Sequence, residues 1–121
     1  MVSEISVGLV DSHAHIQGPE FAADVAQVIE QARAVGVERI IVVGGAGDLS
    51  SNDAALELAK SFSGLYATVG MHPHDAKEVS DKDLERLDEL ARNPQVVAVG
   101  ETGLDFYYNH SPRQIQIELF C

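Results

Sequence analysis

The chain has 121 residues, of which 45% are hydrophobic, so it is long enough and apolar enough to fold as one compact domain. Nineteen acidic residues against eight basic ones give a net charge of −11, which opposes nonspecific attraction to nucleic acid or to an anionic membrane. The single cysteine excludes an internal disulfide, and the sequence has neither a signal peptide nor an apolar run near the ~20 residues that span a bilayer, so we expect a cytoplasmic protein without a membrane partner.

Apolar, β-branched runs alternate with stretches of helical periodicity along the whole chain. They predict strands at residues 5–11, 37–45, 65–71 and 96–103, and helices at 20–35, 51–62, 80–93 and from 111 onward. Ser80 is the predicted cap of the third helix, and Ser111, followed by Pro112, predicts a capping box at the start of the fourth.

The strands are continuous apolar runs, which favours a parallel sheet covered by helices on both faces. Their ends recur at roughly thirty-residue intervals, which suits sequential βα units in a barrel better than a doubly wound sheet. A closed (β/α)8 barrel needs ~250 residues, and the apolar face of the last helix breaks off at Cys121. The sequence therefore predicts an α/β chain made of the first four βα units of a TIM-type barrel, with residues 1–121 forming the N-terminal half of a single truncated domain.

Polar residues follow the first predicted strand, at the end where parallel α/β folds build their sites. Alternate residues of an extended chain point the same way, so His13 and His15, with Cα atoms ~6.5 Å apart, can converge on one cation. They can equally be ordinary loop histidines. Asp11 shares their face, and either orients an imidazole or caps the loop.

Glu101 is an acid in the predicted fourth strand, flanked by Gly100 and Gly103. Burial of a carboxylate is costly unless the group is paired or binds a metal. The two interpretations are a metal ligand and a structural salt bridge, for example to Arg113.

His72 and His74 flank Pro73 after the third strand. We interpret them as substrate-facing donors rather than further metal ligands; the alternative is a loop whose histidines contact only water. Beyond Glu101, the aromatic residues Phe106–Tyr108 either stack on a base or sugar or fill the rim of the barrel.

Taken together, the motifs "LVDSHAHI", "VGMHPHD", "VGETGLDFYY" and "RQIQIELF" resemble, in their order and spacing, the TatD family of metal-dependent deoxyribonucleases, within the amidohydrolase-like barrels. The resemblance implies one or two divalent ions (Mg, Zn or Mn), with His13 and His15 binding one and the catalytic Glu101 bridging to the other. The family completes this set with two histidines and an aspartate from later strands, which would follow Cys121. The family commonly has Asp or Asn two residues after the second histidine, where Gln17 stands here.

The resemblance thus implies a metal-dependent phosphodiesterase that acts on DNA, in which His72 and His74 contact phosphate oxygens. Bound cations would supply the positive field that the acidic chain lacks. Two alternatives remain: a metal-dependent hydrolase of a small phosphoester or cyclic amide, and an inactive half-barrel that self-associates through its open sheet edges.

Overall fold

Four parallel strands form one sheet in the order β1-β2-β3-β4, which is also their order along the chain. The computed structural model describes residues 8–121, so residues 5–7 of the strand predicted at 5–11 lie outside the described part. The strands are β1 (Leu9–Ala14), β2 (Val37–Val43), β3 (Leu65–Val69) and β4 (Val96–Val99). The helices are α1 (Val25–Ala34), α2 (Ser50–Ser61), α3 (Asp81–Ala91) and α4 (Arg113–Phe120), with 3-10 helices at Pro19–Phe21 and Pro73–Glu78.

The sequential strand order confirms the prediction of four consecutive βα units. A doubly wound sheet reverses its strand order at a switch point, and the described sheet has no such reversal. Parallel pairing of neighbours requires each helix to carry the chain back to the start of the next strand. All four strands therefore end at the same edge of the sheet.

The core lies between the helices and one face of this sheet. Ile29 of α1, Ala55 of α2 and Leu90 of α3 pack with Val42 and Leu65 of the central strands, and all five are buried. Burial of an isoleucine, leucine or valine side chain contributes about 1.5–3 kcal/mol. The packing holds the two central strands firmly under the loops that follow them.

The prediction that both faces of every strand are covered is wrong for the two outer strands. Leu9 and Val10 of β1 and Val97 and Val99 of β4 are all more than half exposed. The physical reason is topological: right-handed crossovers that all proceed in one direction place their helices on the same face of the sheet, and β1 and β4 are edge strands with a neighbour on one side only. Among residues 8–121, the other face is left open where a closed barrel has its interior.

On the side of the candidate site β2, β3 and β4 end earlier than predicted, whereas β1 ends later, at Ala14. β3 ends at Val69 and β4 at Val99, where Gly70 and Gly100 lie against each other. A Cβ on Gly70 would lie 2.8 Å from the carbonyl carbon of Gly100, closer than atoms tolerate. Since β4 ends at Val99, Glu101 lies beyond the strand and not inside it, and its side chain is 31% exposed rather than buried.

The two predicted helix caps have different outcomes. The cap at Ser80 is confirmed, since its hydroxyl accepts the N–H of Asp83 while the Asp83 carboxylate accepts the N–H of Ser80. The predicted capping box at Ser111 is wrong, because Pro112 is the residue that precedes α4 and no side chain caps the helix. No helix within residues 8–121 combines the length and apolarity needed to cross a bilayer.

Candidate metal centre

The end of β1 places two imidazoles together. His13 is in the strand and His15 follows it, and their Nε2 atoms lie 3.1 Å apart. The pairing of β1 with β2 is irregular between Asp11 and Ala14, as at a β-bulge, which is a common device for aiming side chains at a site. The predicted convergence of the two rings is thus present in the structure.

Glu101 reaches the same point from the loop after β4. Its Oε2 lies 3.5 Å from Nε2 of His15 and 3.9 Å from Nε2 of His13. The backbone N–H of Glu101 donates to the carbonyl of Gly44, which brings this loop over the end of β3 to the end of β2. Arg113, the alternative partner considered for Glu101, instead lies over the ring of Phe106.

These three side chains are the group within the described chain whose ligand atoms are arranged to hold a metal ion. Two donors that are each about 2.0–2.1 Å from a tetrahedral ion lie about 3.3–3.5 Å from each other. The observed separations of 3.1, 3.5 and 3.9 Å bracket that value. The site therefore fits one divalent cation with two imidazole ligands and one carboxylate.

The tautomer of His15 suits a metal ligand. Its Nδ1 lies 2.9 Å from the carbonyl oxygen of Val43, which can only accept, so the neutral ring carries its proton on Nδ1. The lone pair is then on Nε2, the atom that faces His13 and Glu101. Gln17 donates to the same carbonyl at 2.7 Å. A hydrogen bond from the far nitrogen to a backbone carbonyl is the usual support of a metal-binding histidine.

His72 has the opposite tautomer. Its Nδ1 accepts the backbone N–H of His74 at 3.1 Å, so the neutral ring carries its proton on Nε2. That Nε2 lies 3.9 Å from Oε1 of Glu101. His72 therefore presents an N–H donor, and not a lone pair, at the edge of the candidate metal centre.

His74 is turned toward a different acid. Its Nε2 is hydrogen-bonded to Oδ2 of Asp105, and Oδ1 of the same carboxylate accepts the N–H groups of Tyr107 and Tyr108. These bonds, with the His74 contribution the largest, hold the pKa of Asp105 below its ordinary value. His74 is thus held by an ionised partner, and it lies next to His72.

Asp11 lies at the other end of the histidine pair. Its Oδ1 accepts the backbone N–H of His13 at 3.1 Å, and the residue is exposed. In this structure the carboxylate steadies the strand backbone at His13 rather than bonding to an imidazole ring.

Two buried residues support the site and were not assigned this role from the sequence. Gln116 of α4 is 1% exposed; its Oε1 accepts the N–H of Asp105, and its Nε2 donates to the carbonyls of Asp105 and Ser111. The Ser111 hydroxyl donates to the carbonyl of His74 and accepts the N–H of Lys77. The available signal was a polar side chain between Ile115 and Ile117, because a buried amide in an apolar helix needs partners.

Comparison with known proteins agrees with this geometry. The family of TatD related DNases matches residues 10–121. The chain is 41% identical over 112 residues to the uncharacterized metal-dependent hydrolase YabD of Bacillus subtilis and 38% identical to the 3'-5' ssDNA/RNA exonuclease TatD of Klebsiella pneumoniae. It covers 43% and 42% of those proteins, and they cover 93% of the chain.

The comparison of structures agrees with the comparison of sequences. The crystal structure of YJJV, a TatD homologue from Escherichia coli K12, superposes with a TM-score of 0.81 at 33% identity, over 93% of this chain and 43% of that one. The chain thus spans less than half the length of these relatives and matches the N-terminal part of their barrel. It belongs to the TatD family of metal-dependent hydrolases and DNases.

Proposed function

We propose that this chain is the amino-terminal half of a single barrel domain that hydrolyses phosphodiester bonds in DNA with the help of a divalent metal. The observation that carries the proposal is the meeting of His13 and His15, at the carboxyl end of β1, with Glu101, in the loop after β4. The chain covers 43% or less of each of these relatives, which supports the proposal that it is half of a barrel.

His13, His15 and Glu101 would hold the metal. Two imidazoles and one carboxylate suit Zn²⁺ or Mn²⁺ better than Mg²⁺, which prefers oxygen ligands and retains several waters. When bound, such an ion lowers the pKa of a coordinated water and stabilises negative charge that develops on a phosphate. A second ion, which the family resemblance implies, would need ligands beyond those three.

His72 would bind the substrate. Its Nε2–H points to the edge of the centre and can donate to a non-bridging phosphate oxygen, while its Nδ1 stays occupied by the N–H of His74. His74 would serve as the second donor through Nδ1–H of its doubly protonated ring, because its Nε2–H is already donated to the ionised Asp105. Asp11 would hold the backbone of His13 so that its ring keeps facing the metal.

The charge of the chain makes the metal necessary for binding as well as for chemistry. A chain of net charge −11 repels a polyanion, and a divalent ion among His13, His15 and Glu101 reverses the field locally. We therefore expect DNA affinity to disappear when the metal is chelated.

The direct test uses the complete reading frame that contains this chain. Glu101→Gln should abolish Mn²⁺-dependent hydrolysis of a single-stranded oligonucleotide, while Glu85→Gln, which removes an exposed acid on α3, should leave it unchanged. Circular dichroism confirms that both variants fold. Full hydrolysis by Glu101→Gln would remove Glu101 from the reaction.

A small phosphoester or a cyclic amide is the alternative substrate for the same centre. The relative from Klebsiella pneumoniae is named as an exonuclease of single-stranded DNA and RNA, which favours nucleic acid as the substrate. Initial rates on an oligonucleotide, a small phosphodiester and a cyclic amide decide between them, and turnover of the small substrates alone would contradict a nuclease.

Residues 1–121 expressed alone have a second expected property, which is self-association. β1 and β4 are the edges of the sheet, and Val97 and Val99 are 51% and 70% exposed. Exposed edges and apolar faces favour pairing with another copy. Sedimentation should show dimers or larger species, and a stable monomer at high concentration would contradict this.

A further inference from the structure

Five side-chain rings form a continuous file that starts beside Glu101. They are, in order, His72, His74, His110, Tyr108 and Tyr107, and we call them the ring file. Neighbouring ring centroids are 4.3, 4.6, 5.8 and 4.9 Å apart. The first ring is the one whose Nε2 lies 3.9 Å from the Glu101 carboxylate.

The rings become more exposed with distance from the metal centre. The side chains of His72 and His74 are 25% and 33% exposed, whereas Tyr108 and Tyr107 are 65% and 86% exposed. The two tyrosines thus present aromatic surface to solvent within the described chain, and they do not fill a rim there. The ring file leads from these tyrosines to Glu101, so an extended ligand on them can reach that residue.

The file is held in place before any ligand arrives. The carboxylate of Asp105 binds the ring of His74 through one oxygen and the N–H groups of both tyrosines through the other. Asn109 has a φ of 59°, a left-handed conformation that asparagine tolerates, and the turn returns His110 to the ring of His74. A preformed surface binds with a smaller loss of conformational entropy.

Phe106 belongs to the same aromatic run but not to the file. The guanidinium carbon of Arg113 lies 4.2 Å from its ring centroid, so a side chain of the protein occupies that face. Phe106 is 37% exposed, whereas Tyr107 is 86% exposed and Tyr108, whose ring lies parallel to that of His110, is 65% exposed.

We propose that the ring file is a nucleobase-binding track, on which unpaired bases next to the scissile phosphate stack on Tyr107 and Tyr108; this deepens the proposed function and rests on it. Base stacking on aromatic residues needs no positive charge, which suits a chain with a net charge of −11. Duplex bases have both faces covered, so the track selects single strands. His72 at its inner end presents a free Nε2–H donor to a phosphate beside the bases.

The test is equilibrium binding of two labelled oligonucleotides to the Mn²⁺-loaded protein from the complete reading frame. One is a short oligothymidylate, and the other has the same phosphates but abasic sugars throughout. We expect the double variant Tyr107→Leu, Tyr108→Leu to bind the base-bearing strand at least about tenfold more weakly than the wild type. It should bind the abasic strand as the wild type does.

Two further variants keep the result unambiguous. Phe120→Leu removes an exposed aromatic ring outside the file and should change neither affinity. Tyr107→Phe, Tyr108→Phe retains the rings and should bind like the wild type. Leucine keeps the size of the side chain, and thermal melting shows whether the double leucine variant is folded.

Three results would overturn the track. The double leucine variant could bind the base-bearing strand as tightly as the wild type does, or it could lose the same affinity for both oligonucleotides. The wild type could also bind the base-bearing and abasic strands equally well. An unfolded double leucine variant would assign the tyrosines to packing and also overturn it. Any of these can coexist with Glu101-dependent hydrolysis, in which case only the track fails. Base-dependent binding without hydrolysis would instead contradict the proposed function alone.

Discussion

The backbone N–H of Glu101 donates a 3.1 Å hydrogen bond to the carbonyl oxygen of Gly44, across the end of the intervening strand. This bond joins the loops after β4 and β2 through main-chain atoms, so it sets the position of Glu101 without using its carboxylate. The carboxylate remains free to face His13 and His15. Substitution of the Glu101 side chain can therefore change the chemistry of the centre while the hydrogen bond between the backbones of residues 101 and 44 is retained.

Glu101→Gln should weaken binding of Zn²⁺ or Mn²⁺ to residues 1–121 by about tenfold or more, because a neutral amide replaces an anionic ligand of nearly the same shape. Isothermal titration calorimetry at neutral pH measures this. Glu85→Gln is the matched control, and it should bind the ion as the wild type does. If both variants retained the wild-type affinity, Glu101 would not be a ligand.

Asp105→Asn should change how stability depends on pH. The native pKa of Asp105 is lowered, chiefly by the hydrogen bond from His74, so its contribution to stability is present above the unfolded pKa of about 3.9. The contribution is lost as the pH falls through the lower native pKa. The midpoint of thermal unfolding should thus be lower in the variant at pH 7, with the difference shrinking below pH 4.

The control for this series is Asp81→Asn, which removes an exposed carboxylate in the first turn of α3. In thermal melts between pH 7 and pH 2, the unfolding midpoints of this variant and the wild type should not approach each other in the same way. A difference between wild type and Asp105→Asn that stayed constant down to pH 2 would show that the carboxylate charge is not what stabilises the pair.

Gln116→Leu should destabilise the chain strongly. The amide makes three hydrogen bonds to backbone groups, of which the one to the Ser111 carbonyl is buried and the two to Asp105 are partly buried. An unsatisfied buried group costs about 1–3 kcal/mol, and the two partly buried groups cost less because water reaches them, so we expect a loss of roughly 2–4 kcal/mol in the free energy of unfolding. Urea denaturation measures it, with Gln114→Leu on the exposed side of α4 as the control.

The positions of the first two histidines could be predicted because they depend on one rule. Alternate residues of an extended strand share a face, and His13 and His15 follow that rule even though β1 ends at Ala14, later than predicted. The four βα units were equally predictable, since helical and strand periodicities alternate along the chain. Local patterns of this kind need no knowledge of distant contacts.

The remaining parts of the site depend on contacts that periodicity does not encode. β4 ends before Glu101 at the point where Gly70 and Gly100, which follow different strands, lie against each other. Ser111 looks like a helix cap in sequence, but its hydroxyl is used by His74 and Lys77, more than thirty residues earlier. The tautomer of His72 likewise depends on the turn that aims the N–H of His74 at its ring.

The most direct test of the central claim is an anomalous difference map from a crystal grown with Mn²⁺. We expect one peak about 2.0–2.2 Å from Nε2 of His13, Nε2 of His15 and an oxygen of Glu101. The peak should disappear in Glu101→Gln crystals grown at the same Mn²⁺ concentration. Ordered His13, His15 and Glu101 side chains with no peak between them would contradict the assignment of this cluster as a metal centre.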